Sequence, residues 1–78
     1  MFYVYAIKSN SRNYIYVGLT NNLERRLEEH NSGNNKTTKP YRPFKLIYSE
    51  SFITRVDARI KEKVLKTGSG KEFLKNFV

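Results

Sequence analysis

The residues of this sequence that could do chemistry are phenols, a guanidinium and a carboxylate. Arg26 follows a second arginine, Glu62 lies between Ala58 and Leu65 on one stripe of a predicted helix, and four tyrosines alternate with apolar residues near the start: Tyr3, Tyr5, Tyr14 and Tyr16. An arginine presents a planar donor fork that matches a phosphate. A single carboxylate can hold one hard cation whose other ligands are water or phosphate. A phenol, with an ordinary pKa near 10, becomes a useful base only where nearby cations favour the phenolate.

The charge balance indicates the kind of ligand. The 78 residues include 15 Lys and Arg against 7 Asp and Glu, a formal net charge of +8. Such an excess favours a polyanionic partner, either nucleic acid or an anionic membrane surface. The absence of cysteine and the single histidine exclude a disulfide framework, a thiolate zinc site and an imidazole-rich metal centre. A hard metal with oxygen ligands remains compatible with the composition.

Length and hydropathy limit the organisation of the chain. Residues 1–78 are enough for one small domain. The longest early apolar stretch, Phe2 to Ile7, is too short for a signal peptide or a membrane span. We therefore expect a cytoplasmic protein that does not cross a membrane. The oligomeric state is left open.

Two segments rich in aromatic and β-branched residues, Phe2 to Ile7 and Tyr14 to Leu19, predict a β-hairpin. With the turn centred between residues 10 and 11, Tyr5 would face Tyr16. One sheet face would then carry the tyrosines with Ile7 and Gly18, and the other would be uniformly apolar and form the core. Gly18 itself could mark a strand bulge.

The next segment predicts an amphipathic helix. Asn21 or Asn22 can cap a helix that starts near Leu23, and Gly33 can end it. At about 100° per residue, Arg26 and His30 lie beside the apolar stripe, whereas Arg25 points away. The two adjacent arginines are therefore expected to have different roles.

Downstream, residues 33–43 predict an exposed basic loop, and residues 44–48 a third strand. Thr54 and Asp57 predict the start of a second helix, and Ser69 with Glu72 the start of a short third one. Two apolar stripes suggest that the second helix is sandwiched, with Glu62 between apolar neighbours. Four cations, Lys36, Lys39, Arg42 and Lys45, lie near Tyr41 and Phe44 and could contact backbone phosphates without reading sequence.

Tyr3-Val4-Tyr5, followed eleven residues later by Tyr16-Val17-Gly18, resembles the paired motif of the GIY-YIG nuclease family. The likeness continues through residues 22–27 with His30 and Asn31, and through residues 58–63. It covers nearly the whole chain, in the form of the short stand-alone members, and is similar to the nuclease domain of the bacterial excision-repair incision subunit. The first glycine of the family motif is Tyr3 here.

The resemblance implies an α+β domain over residues 1–78, with a small three-stranded antiparallel sheet flanked by about three helices. Carried over by position, the family's active-site tyrosines fall on Tyr5 and Tyr16, its arginine on Arg26, its helix histidine on His30 and its metal-binding glutamate on Glu62. The implied activity is Mg²⁺- or Mn²⁺-dependent hydrolysis of DNA phosphodiester bonds, structure-directed and linked to repair or recombination. Tyr5 is then the candidate to accept the proton of the attacking water and Tyr16 to orient it, although the two roles could be exchanged. His30 could assist proton transfer or bind phosphate.

Each of these residues also has a purely structural interpretation. The tyrosines could be cross-strand packing, Arg26 a surface arginine lying along apolar neighbours, and His30 a cation at a helix end. Glu62 could simply pair with Arg59 or Lys66. At the level of the whole chain, the alternatives to a nuclease are a non-cleaving nucleic-acid-binding module and a subunit of a larger repair complex. A membrane-surface role is disfavoured because no helix combines a broad apolar face with a lysine-rich one.

Overall fold

A three-stranded antiparallel sheet organises the chain, of which the computed structural model describes all residues, 1–78. The strands are β1 (Phe2–Ser9), β2 (Ile15–Thr20) and β3 (Phe44–Phe52), in the order β2-β1-β3. The helices are α1 (Leu23–Ser32), α2 (Arg55–Leu65) and α3 (Gly68–Leu74), with 3₁₀ turns at Lys39–Tyr41 and Lys75–Phe77. The predicted α+β class is confirmed. No helix is both long and apolar enough to cross a bilayer.

The hairpin between β1 and β2 differs from the predicted register. Tyr5 pairs with Gly18, and Tyr16 pairs with Ile7. The turn is centred one position later than expected because Ser9 organises it: the Ser9 N–H donates to the Tyr14 carbonyl (2.9 Å), and the Ser9 hydroxyl accepts from the Arg12 N–H (3.1 Å). The resulting shift of two residues in pairing leaves every side chain on its predicted face, since strand side chains alternate with period two.

The two faces of the sheet bury different kinds of side chain. One face packs against α2 and α3 and forms the apolar core, which contains Val4, Ala6, Val17, Ala58, Leu65 and Leu74. The other face packs against α1 and contains Tyr5, Ile7 and Phe44, bordered by Tyr14, Tyr16, Leu23, Leu27 and Tyr41. The prediction that the uniformly apolar face forms the core is confirmed.

The predictions about the extent of β3 and the packing of α2 are wrong. Strand β3 continues to Phe52, four residues beyond the predicted end, because its polar second half pairs with the start of β1 after an irregularity between Ala6 and Ile7. Helix α2 is not sandwiched: Val56, Ile60 and Val64 are half or more exposed. No element covers that side of α2, because α1 packs on the opposite face of the sheet.

Side-chain caps fix the ends of the helices, mostly as predicted. The Asn22 side chain accepts from the Arg25 N–H (3.1 Å), and Gly33 ends α1 with φ of 86°. Thr54 caps α2 by accepting from the Asp57 N–H (3.2 Å). Helix α3 begins earlier than predicted because Thr67, rather than Ser69, provides its cap. These caps give hydrogen-bond partners to backbone N–H groups at the first turns of α1 and α2, and so fix where each helix begins after its strand.

Candidate active site

Tyr5 is the centre of a buried polar cluster beneath α1. It lies on the middle strand with no exposed surface. Its hydroxyl oxygen is 2.8 Å from Nε2 of His30 and accepts from Nε of Arg26 at 3.4 Å. These three residues come from one strand and one helix, and their contacts bring together three of the five predicted catalytic residues.

Gly18 makes room for the Tyr5 ring. A Cβ at position 18 would lie 2.5 Å from the Tyr5 hydroxyl oxygen and 2.6 Å from its Cζ, closer than real atoms approach. The pairing of β1 and β2 is regular at this point, so Gly18 is not a bulge. Its role is to let the side chain of Tyr5 cross the neighbouring strand towards α1.

His30 connects Tyr5 to the loop that follows α1. It is fully buried, and its Nδ1 is 2.8 Å from the Thr38 hydroxyl, which is also buried. Burial, with the nearby charge of Arg26, lowers the pKa of His30, while Glu29 opposes the shift. A neutral imidazole has one N–H. Because Arg26 can only donate, Nε2 of His30 is the one acceptor for the Tyr5 O–H, which leaves Nδ1–H to donate to Thr38. His30 is therefore a buried connector, not the helix-end cation considered from sequence.

Burial also determines the protonation of Tyr5. Desolvation raises the pKa of Tyr5 to about 12, and the hydrogen bond from Arg26 only partly opposes this shift. The pKa of Arg26 is also raised, first by the hydrogen bond to Tyr5 and less by the nearby Tyr16. A buried, protonated phenol is poorly suited to remove a proton from water. The expectation that Tyr5 acts as the base conflicts with this environment.

Tyr16 and Arg26 are the members of the cluster that reach solvent. Tyr16 is half-buried, with its ring centroid 5.0 Å from that of His30 and 6.4 Å from that of Tyr5. The Arg26 side chain is 37% exposed and also donates from Nη1 to Glu29 (3.2 Å). Arg25 points away and contacts only Glu29, at 3.9 Å. The different roles predicted for the adjacent arginines correspond to different contacts.

Glu62 lies on α2, on the other face of the sheet. Its side chain is only 13% exposed and pairs with Arg59 (3.4 Å) and Lys66 (3.2 Å). It makes no hydrogen bond to the Tyr5 cluster, although its charge contributes to the raised pKa of Tyr5.

The surroundings of Glu62 could hold a hard divalent cation through a single protein ligand. No group of three acidic, histidine or cysteine side chains could enclose a metal. A single largely buried carboxylate suits Mg²⁺ or Mn²⁺, which retain waters and bind phosphate oxygens at their other positions. Its present partners, Arg59 and Lys66, are half-exposed side chains. Glu62 is the one protein ligand that this arrangement offers.

In the predicted basic region the cations are exposed, whereas the aromatic residues beside them are packed. Lys36, Lys39, Arg42 and Lys45 are all exposed, and Arg42 donates from Nη1 to the Ser32 carbonyl (3.1 Å). Phe44 is buried, and Tyr41 stacks on Tyr14 with ring centroids 4.0 Å apart. The cations are accessible to a ligand, whereas these two aromatic residues are occupied by packing.

Sequence reasoning missed Thr38 and misread Gly18. Thr38 lies in a polar stretch with no periodicity, so nothing in the sequence marks its contact with His30. Gly18 did carry a signal, since a glycine inside a strand often marks a close approach. Its partner could be identified only once the register was known.

The comparisons with known proteins agree with this fold. Residues 1–76 match the GIY-YIG catalytic domain, and the chain therefore belongs to the GIY-YIG family, a family of endonucleases. It is 40% identical to a UPF0213 protein of Staphylococcus haemolyticus, covering 94% of this chain and 89% of that protein. It is 45% identical to a UPF0213 protein of Pediococcus pentosaceus, covering 95% and 81%. The solution NMR structure of a UPF0213 protein from Bacillus halodurans has a similar fold, with a TM-score of 0.58 and 30% identity over 97% of this chain and 84% of that one.

Proposed function

We propose that this chain is an endonuclease that hydrolyses DNA phosphodiester bonds with Mg²⁺ or Mn²⁺, acting on DNA structure in repair or recombination. The observation that carries the proposal is the joint contact of Arg26 and His30 with the Tyr5 hydroxyl, in a chain of the GIY-YIG family. This cluster holds a permanently charged guanidinium at the surface in a fixed orientation, as stabilisation of a phosphoryl group requires.

The side chains divide into those that touch the substrate and those that hold them. Arg26 binds a phosphate oxygen of the scissile group with the N–H groups that Tyr5 and Glu29 leave free. Tyr16, which reaches solvent, contacts the attacking water and is the base that receives its proton as the water oxygen bonds to phosphorus and the bond to the leaving oxygen breaks; solvent returns a proton to the leaving oxygen. Tyr5 orients Arg26 through its hydroxyl, and His30 holds that hydroxyl in place from the interior. The roles first assigned to the two tyrosines are thus exchanged.

Glu62 would hold the divalent cation, which supplies charge neutralisation and water activation when bound. The exposed cations Lys36, Lys39, Arg42 and Lys45 add a salt-sensitive attraction to the phosphate backbone that does not depend on sequence. Contacts to the phosphate backbone carry no direct sequence information, which supports recognition of structure over sequence.

The test is a nicking assay on supercoiled, single-stranded and branched DNA, with and without Mg²⁺ or Mn²⁺. We expect metal-dependent cleavage by the unmodified protein and a loss of about a hundredfold or more in Arg26→Gln, since removal of one stabilising donor typically has that effect. Glu62→Gln should also abolish cleavage. Glu72→Gln removes an exposed carboxylate on α3 and is the matched control. Equal cleavage by all four proteins would contradict the site.

A second function is a nucleic-acid-binding module that cleaves only with a partner or not at all. Two observations favour it: the Glu62 carboxylate is occupied by two ion pairs, and Val56, Ile60 and Val64 leave an apolar stripe on α2 exposed, as an interaction surface would. This alternative predicts salt-sensitive binding that Glu62→Gln does not change, without nicking under any metal condition.

A further inference from the structure

The outer edge of β2 is open, and two clefts lie along it. The arginine cleft, of about 270 Å³, lies at the Thr20 end and is lined by Phe2, Leu19, Thr20, Asn21, Arg26 and Arg55. The lysine cleft, of about 330 Å³, lies at the other end and is lined by Tyr14, Ile15, Tyr16, Val17, Lys66 and Lys71. Each cleft takes residues from both sides of the sheet, which is possible only at an edge.

Each cleft contains one cation that the fold leaves without a partner. The side chains of Arg55 and Lys71 are exposed and form no ion pair or hydrogen bond within the chain. The other cation of each cleft is engaged: Arg26 with Tyr5 and Glu29, and Lys66 with Glu62. An unpaired cation beside an engaged one gives each cleft an excess of positive charge, which favours an anionic ligand.

The proposed active site lies between the clefts. Arg26 joins the arginine cleft to Tyr5, Lys66 joins the lysine cleft to Glu62, and Tyr16 lines the lysine cleft itself. The segments that line the two clefts along β2, residues 14–17 and 19–21, have centres about four to five residues apart, or roughly 15 Å at about 3.3 Å per residue. One strand of duplex DNA rises by that distance over about four phosphates at 3.4 Å each.

We propose that one DNA strand follows the open edge of β2, with Arg55 binding a backbone phosphate on one side of the scissile group and Lys71 binding one on the other. The proposal rests on the proposed function, which supplies the scissile phosphate between the clefts. It assigns directed contacts to α2 and α3 instead of the basic loop. Lys45, which follows that loop, lies on β3 at the opposite edge of the sheet and cannot share this path.

The experiment measures binding without cleavage, by fluorescence anisotropy of labelled branched and single-stranded oligonucleotides in EDTA over a range of salt. The edge variant, Arg55→Gln/Lys71→Gln, is compared with the loop variant, Lys36→Gln/Lys39→Gln. Both variants remove two positive charges. We expect the edge variant to bind about tenfold more weakly and to lose roughly 1.4 to 1.8 from its salt slope, as for two lost phosphate contacts. The loop variant should lose less than about threefold. Thermal melts establish that both variants are folded.

The outcomes separate this proposal from the proposed function. An edge variant that binds like the unmodified protein, or a loop variant that loses more, overturns the path along β2 even if the protein cuts DNA. A protein that binds as expected but never cuts leaves the path standing and contradicts the nuclease. Absence of any binding at low salt overturns the path as well. Competition by polyglutamate as effective as by an oligonucleotide of equal charge would assign the edge to an acidic protein instead.

Discussion

The two faces of the sheet are held by different forces. On the face towards α2 and α3, side chains such as Val4, Leu65 and Leu74 are buried without any polar atom to satisfy. On the face towards α1, Tyr5 and His30 are buried just as completely and carry polar atoms in the interior. All buried side-chain nitrogen and oxygen atoms have a hydrogen-bond partner. The first face stabilises the fold by apolar burial, and the second fixes the positions of the polar side chains of the candidate site.

This difference has energetic consequences. Apolar burial contributes about 25 cal/mol per Å² and does not depend on orientation. A buried hydrogen bond contributes only about 1 kcal/mol net, whereas an unpartnered buried group costs about 1–3 kcal/mol. The α1 face therefore tolerates little displacement, which suits a site that must orient Arg26. Away from Glu62, the α2 face should tolerate changes of shape with a loss of stability but not of activity.

The largest effect on stability should come from Leu65→Ala on the apolar face. Leu65 is 1% exposed, and its truncation should lower the free energy of unfolding by about 2–5 kcal/mol through lost burial and the cavity left behind. Nicking activity per folded molecule should be unchanged. Val64→Ala, a neighbour that is half exposed, is the control in urea unfolding. A comparable loss in the control would contradict the assignment of the core to this face.

A smaller loss of stability with a larger loss of activity should come from Gly18→Ala. The added methyl group would overlap the Tyr5 hydroxyl and ring, and such overpacking costs about 1–3 kcal/mol. Displacing Tyr5 would also release Arg26. The nicking activity of the folded protein should therefore fall, in addition to any loss caused by unfolding.

The control for Gly18→Ala is Gly68→Ala, because an added Cβ there meets nothing within 4 Å. That variant should retain both stability and nicking. If Gly18→Ala were as stable and as active as the control, the close approach of Tyr5 to β2 would not matter to the site.

The smallest effect should be a pH dependence from His30. Its pKa in the folded protein is lowered from 6.5, mainly by burial, so protonation favours the unfolded chain. The stability associated with neutral His30 is complete above about pH 6.5 and is lost as the pH falls below it through the lower folded-state pKa. Thermal melts between pH 8 and 5 should show this decline, and His30→Gln should have a flatter profile. Parallel profiles would mean that His30 is not buried as a neutral imidazole.

Local patterns in the sequence were enough to predict most of the scaffold. Alternation in the first two strands assigned every side chain to its correct face, and this survived a wrong register because the error was an even number of residues. The α1 caps at Asn22 and Gly33 were readable because capping depends on residues next to the helix ends. The placement of Arg26 beside the apolar stripe followed from helical periodicity alone. What failed was long-range: no local signal indicates that β3 continues through polar residues or that nothing covers Val56 and Ile60.

The sequence by itself determined that there are three strands and three helices, the faces of β1 and β2 and, through the resemblance, the family, because these are encoded in short-range spacing. Only the tertiary structure decided that Tyr5 is buried and protonated, that Thr38 completes its network through His30, and that Gly18 leaves room for its ring. Protonation and contact depend on what surrounds a side chain in space, and those neighbours come from strands and loops far apart in the chain. For the same reason the two unpaired cations along β2, Arg55 and Lys71, became visible only when the fold brought them to one edge.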